Sequence, residues 1–243
     1  MRGRNVHTWT LLAPWLITLL VFWIYPLIYA LVLSFSEYRT LTNEISFVGV
    51  NNYLRAFQDE EFWRALRNTT IFTAGTVPFT TVFALLLATA IRRRSPGLAS
   101  FFRASYFLPS VTSLVVIALV FTNLYARDGY VNVLASMLGL PHPTQGWLLD
   151  QNTALGAIMA MDVWISTGYY MVLFLAGMEA IPKDLYEAAD LAGASRWQQF
   201  WRITLPMLRS TMLFVVVINS IKSFQIFVEI YIMTKGGPLD ATS

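Results

Sequence analysis

Three ionisable residues stand inside long apolar stretches of this 243-residue chain: Asp162, Lys222 and Glu229. A charge buried in an apolar layer is costly, so such residues face one another or a wet cavity, where polar solutes or ions are handled. Polar neighbours fall beside them at helical spacing. Asp162, Ser166 and Tyr169 share one face, and Asn219, Lys222, Gln225 and Glu229 fall within roughly a third of the circumference of another. Lys222 and Glu229, seven residues apart, are nearly superposed on that second face. An Asp162–Lys222 ion pair is geometrically possible if the two faces meet. Two roles stay open on this reading. The residues line a route for a solute, with Tyr169, Tyr170 and Phe224 offering aromatic surface to a polyhydroxylated molecule, or Asp162 and Lys222 lock two helices together.

Other chemistry has little to work with. Cysteine is absent, and His7 and His142 are far apart, so thiolate, disulfide and His-rich metal sites are not expected. No cluster of acids, His and nucleophile marks an enzyme. The few basic residues are not interleaved with a stacking platform, so no nucleic-acid partner is expected. No G-x-x-x-x-G-K-[ST] phosphate loop occurs.

The elements that position these residues follow from composition. Hydrophobic residues make up 56% of the chain and charged residues 13%, against about 25% charged in an ordinary soluble domain. A helix crosses a bilayer with roughly 20 apolar residues, and only helices or closed barrels satisfy their backbone in lipid. The expected fold is an all-α membrane protein, a multi-span helical bundle forming one transmembrane domain over 1–243. The expected spans are about 9–34, 68–91, 104–126, 153–178 and 207–234. The first is too long for a cleaved leader and no small-residue cleavage site follows it. Pro26, Pro78 and Pro109 mark kinks or helix starts. The polar stretch from Glu37 to Leu66 is the longest, and the segment from Gly129 to Trp147 is expected against the membrane surface.

Charge sorts the loops. Arg2 and Arg4, then Arg92, Arg93, Arg94 and Arg103, then Lys183, Arg196, Arg202 and Arg209 fall on one side, whereas the alternate loops carry more acids than bases. Lys and Arg excess marks the cytoplasmic side. The N-terminus is therefore expected inside the cell, and Gly236-Gly237-Pro238 outside.

The connection at about 179–206 is unusually long and reads as helix, turn, helix. Pro182 suits a first helical position and Asp184 the first turn. Leu185, Ala188, Ala189 and Ala192 share a face of mostly small residues. Gly193 suits a left-handed cap, and Ser195 with Gln198 makes a capping-box pattern for a second, amphipathic helix carrying Trp197, Phe200 and Trp201. Pro206 marks the junction with the last span. The residues alone allow either a helix that docks into another protein or one that lies on the membrane.

Within this connection, Glu187-Ala188-Ala189, Gly193 after three residues, Ile203 after nine more, and Leu205-Pro206 match the E-A-A-x3-G-x9-I-x-L-P pattern at every defined position. The chain resembles the permease subunits of binding-protein-dependent ABC importers, in their sugar and glycerol-phosphate (maltose-type) branch. Phe47-Val48-Gly49-Val50-Asn51-Asn52-Tyr53, Phe102-Arg103 leading to Phe107-Leu108-Pro109, Ser223-Phe224-Gln225 and Gly236-Gly237-Pro238 carry the likeness over essentially the whole chain.

The resemblance implies the type I importer permease fold, with a sixth span usual after the Gly-Gly-Pro segment, whereas this chain stops at Ser243. It implies that Glu187 to Gly193 form a coupling helix in a cleft of a cytoplasmic ATP-binding subunit, with Glu187 paired to a basic residue there and Gly193 at the turn. Hydrolysis of ATP would lie in that subunit, and no cofactor belongs to this chain. The other implied partners are a second permease subunit, an extracytoplasmic solute-binding protein and the lipid bilayer of a bacterial inner membrane. The solute would be a sugar, polyol or glycerol-phosphate. An ion-coupled secondary transporter and a non-transporting scaffold are the rivals, and neither requires an ATPase.

Overall fold

A computed structural model gives the fold and describes residues 2–39 and 44–242. The side chains of Arg2, Arg4, Arg39 and Glu44, used in the charge sorting, lie outside the described residues, as does Ser243. Two compact units divide the chain after Trp63.

The first unit opens with α1 (Arg2–Leu19), a wider π turn (Leu20–Ile24) and α2 (Tyr25–Ser34). The π turn ends at Ile24, with Tyr25 between it and Pro26, and the Pro26 ring supplies no N–H to the ladder. No described side chain from Trp9 to Ser34 is buried within the chain, and the stretch is long and apolar enough to cross a membrane. The polar segment that follows carries regular structure on both sides of 40–43. Strands β1 (Ser36–Arg39) and β2 (Glu44–Phe47) pair antiparallel, with Ser36 opposite Phe47. Helix α3 (Asn51–Gln58) is stitched to the end of α2: the Asn52 amide donates to Ser34 O at 3.0 Å and Ser36 O at 2.9 Å. The Tyr53 hydroxyl donates to Ser34 Oγ at 2.7 Å.

Helix α4 (Glu60–Arg92) starts well before the expected 68, because Glu60 and Glu61 suit the positive end of a helix. Pro78 lies inside it. The second unit continues with α5 (Pro96–Val111), α6 (Leu114–Leu124), α7 (Tyr130–Met137), α8 (Ala154–Glu179), α9 (Lys183–Leu191) and α10 (Arg196–Gln199). A π segment (Phe200–Thr204), α11 (Leu205–Met207), α12 (Arg209–Phe224) and α13 (Val228–Met233) complete it.

Helix α8 is the axle of this unit and matches the expected fourth span within a residue. Its buried side chains join two clusters. Met171, Phe174 and Met178 meet Ala84, Ala88 and Leu208 toward one end. Ile158 and Met161 meet Phe72, Ile117, Ala118 and Met233 toward the other. Helix α5 lies tight against α8 at Gly168, where a Cβ would collide with the backbone of Tyr106.

Two expected spans are not single straight helices. The third breaks between α5 and α6, which meet at 94°. Thr112 and Ser113 are extended there (ψ 152° and 122°), and Pro109 has removed one ladder donor in the last turn of α5. Ser110 Oγ donates to Ile165 O at 2.8 Å, fixing that end of α5 to α8. The fifth opens at a 65° bend between the segments 196–207 and 209–224, at the junction expected beside Pro206. It also stops at Phe224 before resuming at Val228. Among the described residues, Trp9–Ser34, Glu60–Arg92 and Ala154–Glu179 are each long and apolar enough to cross a membrane, and the two bent pairs bring the number to five if each counts as one span.

Candidate functional site

The first site forms where α8 meets α12. The expected ion pair is present: Lys222 Nζ donates to Asp162 Oδ1 at 3.2 Å and to Ser166 Oγ at 2.7 Å. The Ser166 hydroxyl donates to Asp162 Oδ1 at 3.3 Å. Asp162 is buried, whereas the Lys222 side chain is 46% exposed. The lysine stem opens on a cavity of about 340 Å³ lined by Ser110, Ile165, Ser166, Tyr169, Tyr170, Ile218 and Lys222. Tyr169 is half exposed, and its ring stands edge-on to that of buried Tyr170, centroids 5.2 Å apart. Lysine and aspartate cancel within the site. The cavity therefore presents hydroxyls, an aromatic face and a compensated ammonium.

The four-residue stripe expected on the last span does not exist as one face, because α12 ends at Phe224 and the chain turns before α13. Lys222 remains on α12, but Gln225 is its exposed C-cap, with its N–H bonded to Lys222 O at 3.0 Å. Glu229 begins a new helix and is buried there. Asn219 is fully buried, and neither atom of its amide has a hydrogen-bond partner. One turn further along α12, Ser223 Oγ meets Thr76 Oγ1 of α4 at 3.3 Å. Phe224 is exposed at the end of α12 and is absent from the cavity lining. Ser110 and Ile218 line the cavity although nothing in their spacing marked them; only the packing of α5 and α12 on α8 brings them there.

The second site is the 179–206 connection. Helix α9 has Pro182 as its N-cap rather than its first helical residue. It closes with a Schellman motif: Gly193 N–H donates to Asp190 O at 3.0 Å and Ala194 N–H to Ala189 O at 2.9 Å. Gly193 lies at φ +74°, a region that a side chain disfavours. Ser195 and Gln198 then form both bonds of a capping box, Gln198 N–H to Ser195 Oγ at 3.3 Å and Ser195 N–H to Gln198 Oε1 at 2.7 Å. The Gln199 amide donates to Asp190 Oδ1, bracing the two short helices against each other. Glu187 and Ala188 are exposed, Ala189 half-buried, and α9 has no buried residue. Ile203 and Leu205 pack against the core, and Pro206 opens the turn into α12. Of the expected pathway residues, Asp162, Ser166, Tyr169 and Lys222 come together at the cavity, apart from the connection, whereas Asn219, Gln225 and Glu229 do not line it. Among the described residues, no group of three or more His, Cys, Asp or Glu could hold a metal.

Residues 64–243 match the family model described as binding-protein-dependent transport system inner membrane component. Over 243 residues the chain is 35% identical to the lactose transport system permease protein LacF of Rhizobium radiobacter, covering 99% of this chain and 81% of that one. It is 34% identical to the trehalose/maltose transport system permease protein MalF of Thermococcus litoralis, over 96% of this chain and 78% of the other. Among solved structures, a chain of a bacterial ABC transporter that imports the acidic polysaccharide alginate superposes with a TM-score of 0.84 at 26% identity. That alignment covers 99% of this chain and 80% of that chain. With the helical membrane fold and these matches together, the chain belongs to the inner-membrane components of binding-protein-dependent transport systems, as a permease subunit of a sugar ABC importer whose ATP is hydrolysed on a separate subunit.

Proposed function

We propose that the chain supplies part of the translocation path for a neutral sugar and couples it to the ATPase through α9 and the Gly193 turn. The observation that carries the coupling role is the pre-formed connection. Its α9–α10 turn is fixed by a Schellman motif and a capping box, yet α9 buries none of its side chains within the chain. A helix held rigidly at its ends, seated on the bundle through Tyr186 and open on the face of Glu187 and Ala188, suits a cleft in a partner. Glu187, exposed in the middle of α9, is the residue that pairs with a basic group there, and Ala188 and Ala189 allow close approach. In this reading the N-terminus lies in the cytoplasm, as the distribution of Lys and Arg argues.

The cavity beside Lys222 is the part of the path the chain contributes. Tyr169 and Ser166 suit a polyhydroxylated ring, and the paired charges favour a neutral sugar over a glycerol-phosphate. The relatives named for lactose and for trehalose and maltose support a sugar. The same pair joins α8 to α12, so Asp162 and Lys222 brace the bundle while the exposed lysine stem faces the solute.

Co-purification with the ATPase tests the coupling role. Glu187→Lys reverses the charge and Gly193→Pro forbids a φ near +74°, so each is expected to abolish association while the permease still inserts. Retention of the ATPase by both variants would refute it.

A further inference from the structure

A displacement of α9 reaches α8 and α12 along the chain itself, through 180–182 at one end and through α10, the π segment and α11 at the other. Helix α4 has no such connection. It is remote in sequence, and its last residue is Arg92. That residue bonds to α9 at Tyr186. Arg92 Nη1 donates to Tyr186 Oη at 3.0 Å, and its guanidinium lies 4.8 Å from the centroid of the Tyr186 ring. The same hydroxyl meets Thr204 Oγ1 at 2.9 Å, in the π segment that leads to α12. Tyr186 is only half-buried, but its ring packs against the core cluster around Phe174 and Met178. A cavity of about 530 Å³ opens beside it, lined also by Arg93, Lys183, Asp190 and Arg196, so the polar bridge borders open space while the ring packs on the core.

We propose that the Tyr186 hydroxyl, bridging Arg92 and Thr204, is the positioning group that makes α4 move with α9. This rests on the coupling role given above for α9. Any change in the tilt of α9 then reaches Thr76, where α4 meets Ser223 of α12, and so the helix that carries Lys222. Without the bridge α9 still docks, but α4 stays behind and the ATPase cycle is spent without moving the path.

The test uses the assembled transporter with a cysteine-free ATPase. The chain has no native cysteine, so spin labels at Arg94→Cys and Asp184→Cys report the separation of the α4 end from α9. The parent should keep one distance in nucleotide-free and ATP-trapped states. Tyr186→Phe keeps the ring and deletes the bridge. It should retain the ATPase, show a distance that changes with nucleotide, and lower radiolabelled lactose or maltose import per ATP about tenfold, the size expected from losing a charge-assisted hydrogen bond. Arg92→Gln should do the same, and the double variant no more. A Tyr186→Phe transporter with a constant distance and unchanged yield would overturn the proposal. So would loss of the ATPase from that variant, because the hydroxyl would then serve docking. Failure of the coupling role itself reads differently: the parent, or Glu187→Lys, would show it in co-purification.

Discussion

Gly168 offers the sharpest test of the packing that builds the cavity. A Cβ at this position would overlap the carbonyl oxygen of Tyr106, lie 2.5 Å from its carbonyl carbon and sit 3.1 Å from Phe107 N. These are backbone atoms, so no rotamer relieves the contact. To restore an ordinary separation of about 3.5 Å from that oxygen, α5 must retreat from α8 by roughly 1.5–2 Å, and a gap of about 1 Å already forfeits up to half of each pairwise attraction. Overpacking against a rigid neighbour costs about 3 kcal/mol, the upper end of its usual range. The better helix propensity of Ala returns about 1 kcal/mol, leaving a net loss of about 2 kcal/mol. Gly156 lies on the same helix with nothing within 4 Å of its would-be Cβ, so Gly156→Ala carries only the propensity gain. The two variants should therefore differ by about 3 kcal/mol, or about 6–12 °C in melting temperature on the scaling of soluble domains of similar size. Gly177→Ala should fall between them, because it meets side-chain atoms of Thr211 and Leu208 that can turn aside. Thermal unfolding in one detergent, followed by helical circular dichroism, reads all three. If Gly168→Ala melts at or above Gly156→Ala, the close approach of α5 to α8 is not what shapes this site.

Three further outcomes follow from the geometry. Lys222→Met leaves Asp162 buried with Ser166 as its remaining partner and should weaken both assembly and sugar uptake. The double variant Asp162→Asn, Lys222→Met should recover assembly; if uptake returns in full as well, the pair only braces the helices and has no part in the path. Ser195→Ala removes one bond of the capping box and should cost about 1 kcal/mol, visible as faster amide exchange across α10 with α8 unaffected. A solute panel should show ATPase stimulation by binding protein loaded with neutral disaccharide and little by glycerol-phosphate, and the reverse preference would refute the compensated-charge account of the cavity.

Much of this protein was legible in one dimension. Apolar runs and sparse charge dictate a helical membrane protein, because lipid leaves the backbone few alternatives. The turn at Gly193 and the Ser195–Gln198 box were legible because caps are local: their partners lie within a few residues, so spacing alone specifies them. The Asp162–Lys222 pair was legible as a possibility, since two opposite charges in apolar runs have few other partners. The break after α5, the end of α12 at Phe224 and the placing of Glu229 on a separate helix from Lys222 were not. Hydropathy averaged over a span is nearly blind to a bend, because the few polar residues beside Thr112 and Ile226 leave the mean of the surrounding apolar run high. Which side chains meet across helices was likewise decided only by tertiary packing. Ser110 reaches Ile165, Tyr186 reaches Arg92, and Gly168 admits Tyr106 through contacts between segments far apart in sequence, which no periodicity within either segment encodes.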